Sequence, residues 1–221
     1  MLSVRTAIID NNTYNTVQIG NQCWMKENLR TTRNANGASI ALGDYASSTT
    51  AFRYYPNNDQ SNVPTYGYLY NWKAVIGSSS SSSANPSGVQ GICPNGWHVP
   101  SNAEWTQFTN YVGGQTLYQC DNSSRTGNIA KALASTTGWT SSTETCAVGN
   151  NPSSNNATGF SALSAGRYGS YSYFGYSAYF WTATVVNGIY AYFRLLNYES
   201  ASVGGGRSDM GYGYSVRCVK D

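Results

Sequence analysis

Gly91-Ile-Cys-Pro-Asn-Gly-Trp-His-Val-Pro-Ser-Asn-Ala-Glu-Trp105 is the stretch on which the fold turns. It reads as a tight loop feeding a helix. Ser101 is the expected N-cap, and Glu104 three residues later completes a capping box. Ala103, Trp105, Phe108, Tyr111 and Val112 then supply an apolar face at helical spacing, and Gly113-Gly114 marks the end. A second helix is predicted near Asn128–Ala134. Upstream, Val17-Gln-Ile-Gly-Asn-Gln-Cys-Trp-Met25 alternates around Gly20-Asn21, a two-residue hairpin signal. Residues 31–63 read as a polar loop, Tyr66–Val75 as the start of a short helix, and residues 140–157 as a Ser/Thr/Asn loop. Gly77 and the run Ser78–Ser83 carry too little apolar surface to pack and read as a mobile loop. From Gly159 onward the chain is strand and turn material, with candidate strands Ala178–Thr184, Tyr190–Leu196 and Tyr214–Val219. Two helices among short strands and many glycines predict an α+β fold, one domain over 1–221, with extensive irregular loops.

Composition narrows the function. Only 10% of the 221 residues are charged, yet 40% are hydrophobic, so a core is affordable without a charged shell of ordinary density. Thirteen basic residues face ten acidic ones and form no patch, which argues against a phosphate-dominated nucleic-acid partner. No apolar run reaches membrane-spanning length, so no membrane insertion is expected. Met1–Asp10 lacks the basic and apolar regions of a secretory signal. The expectation is a trimmed mature chain or one exported by another route, such as inside a virion.

Five cysteines without CxxC spacing make a structural zinc site improbable and allow at most two internal bridges. The pairing read here is Cys93–Cys218 and Cys120–Cys146 with Cys23 left over; five reduced, buried thiols are the alternative. Low charge and abundant Tyr, Ser and Asn favour the bridges and an extracellular setting.

Catalytic signals are scarce. His98 is the single histidine, and no G-x-S-x-G context surrounds any serine. A hydrogen-bonded structural role suits His98, as capping suits Glu104. No phosphate-binding glycine loop is present, and no cofactor is expected. Asp44, Asp59 and Asn57-Asn58 carry hard-cation donors but no EF-hand spacing, and no metal is assigned to them.

The tyrosines stand apart. Ten of 19 lie in the last 63 residues, and Arg167–Ser177 is almost entirely Tyr, Ser and Gly. This is paratope chemistry: Tyr offers large contact area at low entropic cost, while Ser and Gly adapt their hydrogen bonds. Tyr179, Tyr192 and Tyr214 have apolar neighbours and fit a core. Arg167–Ser177 does not alternate with any hydrophobic face and reads as an exposed binding surface. The expected core is Trp24, Leu29, Trp72, Trp97, Trp105, Phe108, Phe160, Leu163, Trp181 and Val216, largely separate from the Tyr/Ser/Gly blocks.

Several blocks together resemble the Fibrobacter succinogenes major paralogous domain family. They are Ile19–Thr32, Tyr66–Val75, Gly91–Trp105, Gly159–Gly166, Phe180–Thr184 and Gly213–Asp221, in the family's order. Ser164 departs from the proline usual there. The resemblance implies a C-type-lectin-like fold, with the chain ends brought together and the C-terminal loops forming a ligand face.

The C-terminal third also resembles the variable proteins of diversity-generating retroelements, carried by gut bacteria and their phages. Adenine randomisation turns Asn codons into a set that includes Tyr, Ser, Gly, Asp, Arg, Val, Leu, Ile and Phe. Between Arg167 and Tyr212 the matching positions are Arg167, Tyr168, Ser170, Tyr171, Tyr173, Tyr176, Ser177, Val185, Val186, Gly188, Ile189, Tyr190, Phe193, Leu195, Gly204, Gly205, Gly206, Ser208, Asp209 and Tyr212. Trp181, Glu199 and Met210 cannot arise from Asn codons and are expected to be framework or to come from other codons. The implied function is a non-enzymatic receptor-binding protein, extracellular, on a cell surface or a phage virion. Its ligand would be a protein or glycan on a cell surface. Two other readings stand beside it. One is a carbohydrate-binding adhesin module of fixed specificity, although the sequence lacks the Glu-Pro-Asn and Trp-Asn-Asp patterns of calcium-dependent lectins. The other is an enzyme like the formylglycine-generating group, which needs paired C-terminal cysteines where this chain has Cys218.

Overall fold

The computed structural model describes residues 6–120, 127–170 and 172–221. Strands β1 (Thr6–Ile9), β2 (Asn12–Ile19) and β3 (Gln22–Met25) form an antiparallel meander. Asp10 and Asn11, with φ of 50° and 59°, turn β1 into β2 as a type I′ hairpin requires. At the predicted second hairpin Gly20 takes φ of 60°. The C-terminal strand β10 (Val219–Lys220) pairs with β3, Val219 opposite Trp24 and Lys220 opposite Cys23, giving the order β1-β2-β3-β10. The N-terminal meander and the C-terminal strand therefore share one sheet, with β1 and β10 at its opposite edges.

Residues 31–63 contain more order than expected: β4 (Ala41–Leu42), β5 (Phe52–Tyr54) and short 3₁₀ turns at Pro56–Asn58 and Gln60–Asn62. Strands of two or three residues are too short to show alternation. After α1 (Val63–Tyr66) and β6 (Leu69–Tyr70), the expected helix appears as α2 (Trp72–Ile76). Its Asn71 cap accepts from the Ala74 amide at 3.0 Å. The serine run is exposed at Ser78–Ser81, but its far end is tied down. The Ser82 amide donates to Ala183 O at 3.0 Å, and Thr184 Oγ1 donates to Ser82 O at 2.7 Å.

Helix α3 (Asn102–Gly113) carries the predicted reciprocal box. The Glu104 amide donates to Ser101 Oγ (3.1 Å), and Glu104 Oε2 accepts from the Ser101 amide (2.8 Å). Trp105, Phe108 and Val112 are buried, whereas Tyr111 is exposed and lies over Gly20, where a Cβ would meet its ring at 3.0 Å. The helix leaves through Gly114 at φ −75°, so no left-handed glycine is used. Trp24 sits 4.8 Å from both Trp105 and Phe108, ring centre to ring centre, in an aromatic cluster with Phe160 and Phe180. The second helix, α4, is a single turn, Ala130–Leu133.

The last third is an antiparallel meander of β7 (Ser177–Val185), β8 (Tyr190–Asn197) and β9 (Gly204–Asp209). Strand β9 escaped the sequence reading because Gly204-Gly-Gly206 offers no side chains to alternate. The predicted strand Tyr214–Val219 contracts to β10 with single bridges at Tyr214 and Ser215. Within it the buried Arg217 spends its guanidinium on Asn28 Oδ1 (2.7 Å) and the carbonyls of Met25 (3.1 Å), Phe160 (2.6 Å) and Ser161 (2.8 Å). Strand β7 is buried along almost its whole length because both faces are covered. Phe180 faces the Trp105 cluster, and Trp181 stacks on Tyr214 at 4.3 Å. Of the expected core residues, Leu163 alone is only half-buried. Cys93–Cys218 and Cys120–Cys146 are bridged, and Cys23 is a buried thiol. No described helix is long and apolar enough to cross a membrane.

Candidate ligand-binding face

The Arg167–Ser177 loop doubles back on itself because Gly166 adopts φ of 67°, where any Cβ would collide with Ser172 O. The Arg167 amide donates to Ser172 O at 2.6 Å, and the amides of Tyr176 and Ser177 both donate to Tyr173 O at 3.0 Å. Tyr168 and Gly213 exchange backbone hydrogen bonds of 2.8 and 3.0 Å, which ties the loop to the C-terminal segment. Main-chain bonds thus set the loop's path, leaving several side chains to face outward.

Tyr173 and Tyr176 are 40% and 45% exposed. Ser170, Gly188, Ile189, Gly204, Gly205 and Asp209 are also exposed, whereas Arg167, Tyr168, Val185, Val186, Tyr190, Phe193, Leu195 and Tyr212 are half-buried. Two predicted contact residues belong to the interior. Ser177 is buried, its hydroxyl accepting from Asn197 Nδ2 at 3.1 Å, and Ser208 is buried, accepting from the Tyr214 hydroxyl at 2.7 Å. Tyr171 lies outside the described residues. Tyr179 and Tyr214 are buried as expected, but Tyr192 is half-buried.

The predicted positions do not all share one face. Phe193 pairs with Gly206 and Leu195 with Gly204 on the side of β8 that meets Tyr179 and Tyr214; Phe193 lies 5.7 and 5.4 Å from those rings. Tyr190, opposite Asp209, alternates to the other side, with Arg194 opposite Gly205. On that side Arg194 donates to Asn102 O (2.9 Å) and Thr106 Oγ1 (2.7 Å) of α3. Val185 ends β7, and Val186, Gly188 and Ile189 occupy the β7–β8 turn. The coherent face is Arg167–Tyr176 with Tyr212, flanked by Phe193 and Leu195.

Arg167 organises that face. Its guanidinium carbon lies 4.9, 5.2 and 5.7 Å from the ring centres of Tyr173, Tyr212 and Tyr179, within cation–π range. Tyr168 stacks on Tyr54 at 3.8 Å and 7°. Burial pushes the Tyr168 hydroxyl above its ordinary value, and Asp44 adds to the effect. Burial likewise raises Tyr179, against the pull of Arg167. Tyr198 is raised by its 2.6 Å hydrogen bond to Glu199. These three phenols stay neutral hydrogen-bonding groups at physiological pH.

Two clefts flank Ser172. The first, about 470 Å³, lies between Tyr55, Asn57 and Asn58 on one side and Arg167, Tyr168, Ser170, Ser172 and Tyr212 on the other. The second, about 520 Å³, is lined by Tyr173, Phe174, Tyr176, Asn197, Tyr198 and Glu199. Sequence reasoning missed the framework wall of the first cleft. The signal was present in Pro56-Asn-Asn-Asp59, a turn-forming run.

His98 and Glu104 form a hydrogen-bonded pair at the start of α3. His98 Nε2 lies 2.5 Å from Glu104 Oε1 and 3.8 Å from Asp221 Oδ2, while Glu104 Oε2 also accepts from the Ser87 amide at 3.0 Å. These three side chains are the one His/Cys/Asp/Glu group of metal-binding dimensions among the described residues. Asp44 and Asp59 form no such group there; Asp59 Oδ1 accepts from the Ser61 amide at 2.8 Å.

A family model described as the Fibrobacter succinogenes major domain matches residues 17–220. No curated protein and no solved structure matches the chain.

Proposed function

This chain belongs to the Fibrobacter succinogenes major domain family, and from that membership and the face just described we propose that it is a non-enzymatic ligand-binding protein. In this reading the framework is C-type-lectin-like and the Tyr/Ser/Gly-rich surface is the diversified region of a retroelement variable protein. The chain acts outside the cell, on a cell surface or a phage virion. Its ligand is a protein or glycan on a cell surface, not nucleic acid.

The observation that carries the proposal is the loop Arg167–Tyr176. Main-chain bonds hold Arg167, Tyr168, Ser172, Tyr173 and Tyr176, while the Tyr173 and Tyr176 side chains reach solvent. A surface open to variation needs a path that does not depend on its side chains, and substitutions away from the core change stability by only about 0.5 kcal/mol. The pairing of β10 with β3, which puts the C-terminal strand in the N-terminal sheet, and the Cys93–Cys218 bridge support the lectin-like framework.

The test has two parts. Purified chain should label the surface of its target cells. The DNA beside the coding sequence should carry a near-copy of its last stretch, differing at adenines and adjoining a reverse transcriptase gene. Surface labelling without that copy leaves the adhesin of fixed specificity; no labelling of any cell or glycan overturns the binding reading.

A further inference from the structure

We propose that His98, Glu104 and Asp221 form a zinc site, completed by water, that clamps the residue after β10 to the start of α3. The inference concerns residues outside the ligand face and does not depend on the ligand-binding reading.

The geometry comes first. One donor atom from each of the three side chains lies within 4.8 Å of the other two. His98 Nε2 is 2.5 Å from Glu104 Oε1 and 3.8 Å from Asp221 Oδ2. Zinc bonds of about 2.0–2.2 Å to nitrogen and oxygen set tetrahedral donors roughly 3.3 Å apart. The His98–Glu104 pair must widen by roughly 0.8 Å to match, and the exposed Asp221 side chain has room to swing inward. These donor atoms contact one another, so the cation replaces a hydrogen bond within the set instead of competing with an outside partner. The proton shared by Nε2 and Oε1 passes to solvent as the cation enters.

The backbone and the outer hydrogen bonds hold the donors in place without the metal. Glu104 Oε2 accepts from the Ser101 amide (2.8 Å) and the Ser87 amide (3.0 Å), which turns Oε1 toward the imidazole. Bonds of this kind orient metal-binding carboxylates. His98 and Val219 exchange backbone hydrogen bonds of 3.0 Å each, which brings Asp221 alongside the ring. The Cys93–Cys218 bridge fastens the same two segments together.

Charge and donor type narrow the cation. Two carboxylates share one imidazole, and no lysine or arginine pairs with either of them among the described residues. Glu104 is fully buried, so its charge is poorly screened by water. A divalent cation neutralises the surplus. An imidazole with carboxylates suits zinc, whereas calcium and magnesium take oxygen donors. Three protein ligands leave one tetrahedral position for water, on the side where Asp221 is open to solvent.

The experiment strips the full chain with chelator, then measures zinc by equilibrium dialysis and the melting temperature with and without the metal. The account predicts one zinc per chain and a melting temperature higher by about 5–10 °C at a hundredfold excess over the dissociation constant. Calcium at the same concentration should produce no shift. Asp221→Asn keeps the His98–Glu104 pair, so it should leave the metal-free melting temperature unchanged while weakening zinc at least tenfold. His98→Ala should abolish binding; if that variant does not fold, Asp221→Asn decides alone. Absence of zinc binding, or zinc binding of parental affinity in Asp221→Asn, overturns the proposal. A larger shift with calcium than with zinc overturns it as well.

Discussion

Tyr168 of the Arg167–Ser177 loop stacks on Tyr54 of β5 at 3.8 Å, with the two rings only 7° from parallel. The pair joins a half-buried residue of the proposed ligand face to the buried Tyr54. Gly213 lies against the same rings, where a Cβ would come within 2.6 Å of Tyr54. Tyr168 is thus half scaffold. Tyr168→Ala should cost about 1–2 kcal/mol, the stacking contribution plus part of the ring's burial. Tyr54→Ala should cost about 3–5 kcal/mol. Urea denaturation of the two variants checks the order; equal costs would place Tyr168 in the core.

Arg217 anchors the C-terminal segment to β3 and to the Phe160–Ser161 backbone through four hydrogen bonds, with its charge over the Phe160 ring at 4.7 Å. Removing it strands several buried carbonyls. Arg217→Ala is expected to destabilise by about 3–5 kcal/mol, and Arg217→Lys, which lacks the fork, by more than half of that. The measurement is again the denaturation midpoint.

Asp10 sets a pH dependence. Burial opposes its ionisation, but hydrogen bonds from the Thr32 amide (2.8 Å) and hydroxyl (2.7 Å), with Thr31 and Arg33, outweigh it and hold the carboxyl below its usual range. A lowered folded-state pKa contributes stability that is complete above the unfolded value and disappears as pH falls through the folded one. Stability should therefore decline as the pH falls below the ordinary carboxylate range, and Asp10→Asn should flatten that acid limb. An identical acid limb in the variant would show that Asp10 contributes nothing there.

The two bridges should differ in worth. Cys93–Cys218 closes a 125-residue separation and Cys120–Cys146 one of 26. Loop-closure entropy assigns them about 5 and about 3.5 kcal/mol. Paired serine variants compared in guanidinium test the ranking. Cys23, buried between the bridged framework elements, should react with a thiol reagent only on unfolding.

What could be read from the residues follows from signal length. The Ser101–Glu104 box and the Gly20 hairpin are encoded within a few neighbours, and both are present as read. Strand β9 and the Asn57–Asn58 wall were missed because a glycine run has no pattern and a cleft wall is a tertiary fact. Ser177 and Ser208 carried the right composition for a paratope but the wrong facing, since strand register decides which side a residue occupies. Tyr190 and Gly205 were separated from Phe193 and Leu195 for the same reason.

The central claim is that the face binds while the framework keeps its shape without it. Tyr173→Ala/Tyr176→Ala tests this in one preparation, by melting temperature and by surface labelling of target cells. The account predicts a melting temperature within about 2–4 °C of the parent, as expected for two exposed sites. It also predicts at least about a thirtyfold loss of binding, the effect of losing even one hot-spot ring worth about 2 kcal/mol. Retained binding, or a collapse of the melting temperature, would contradict it.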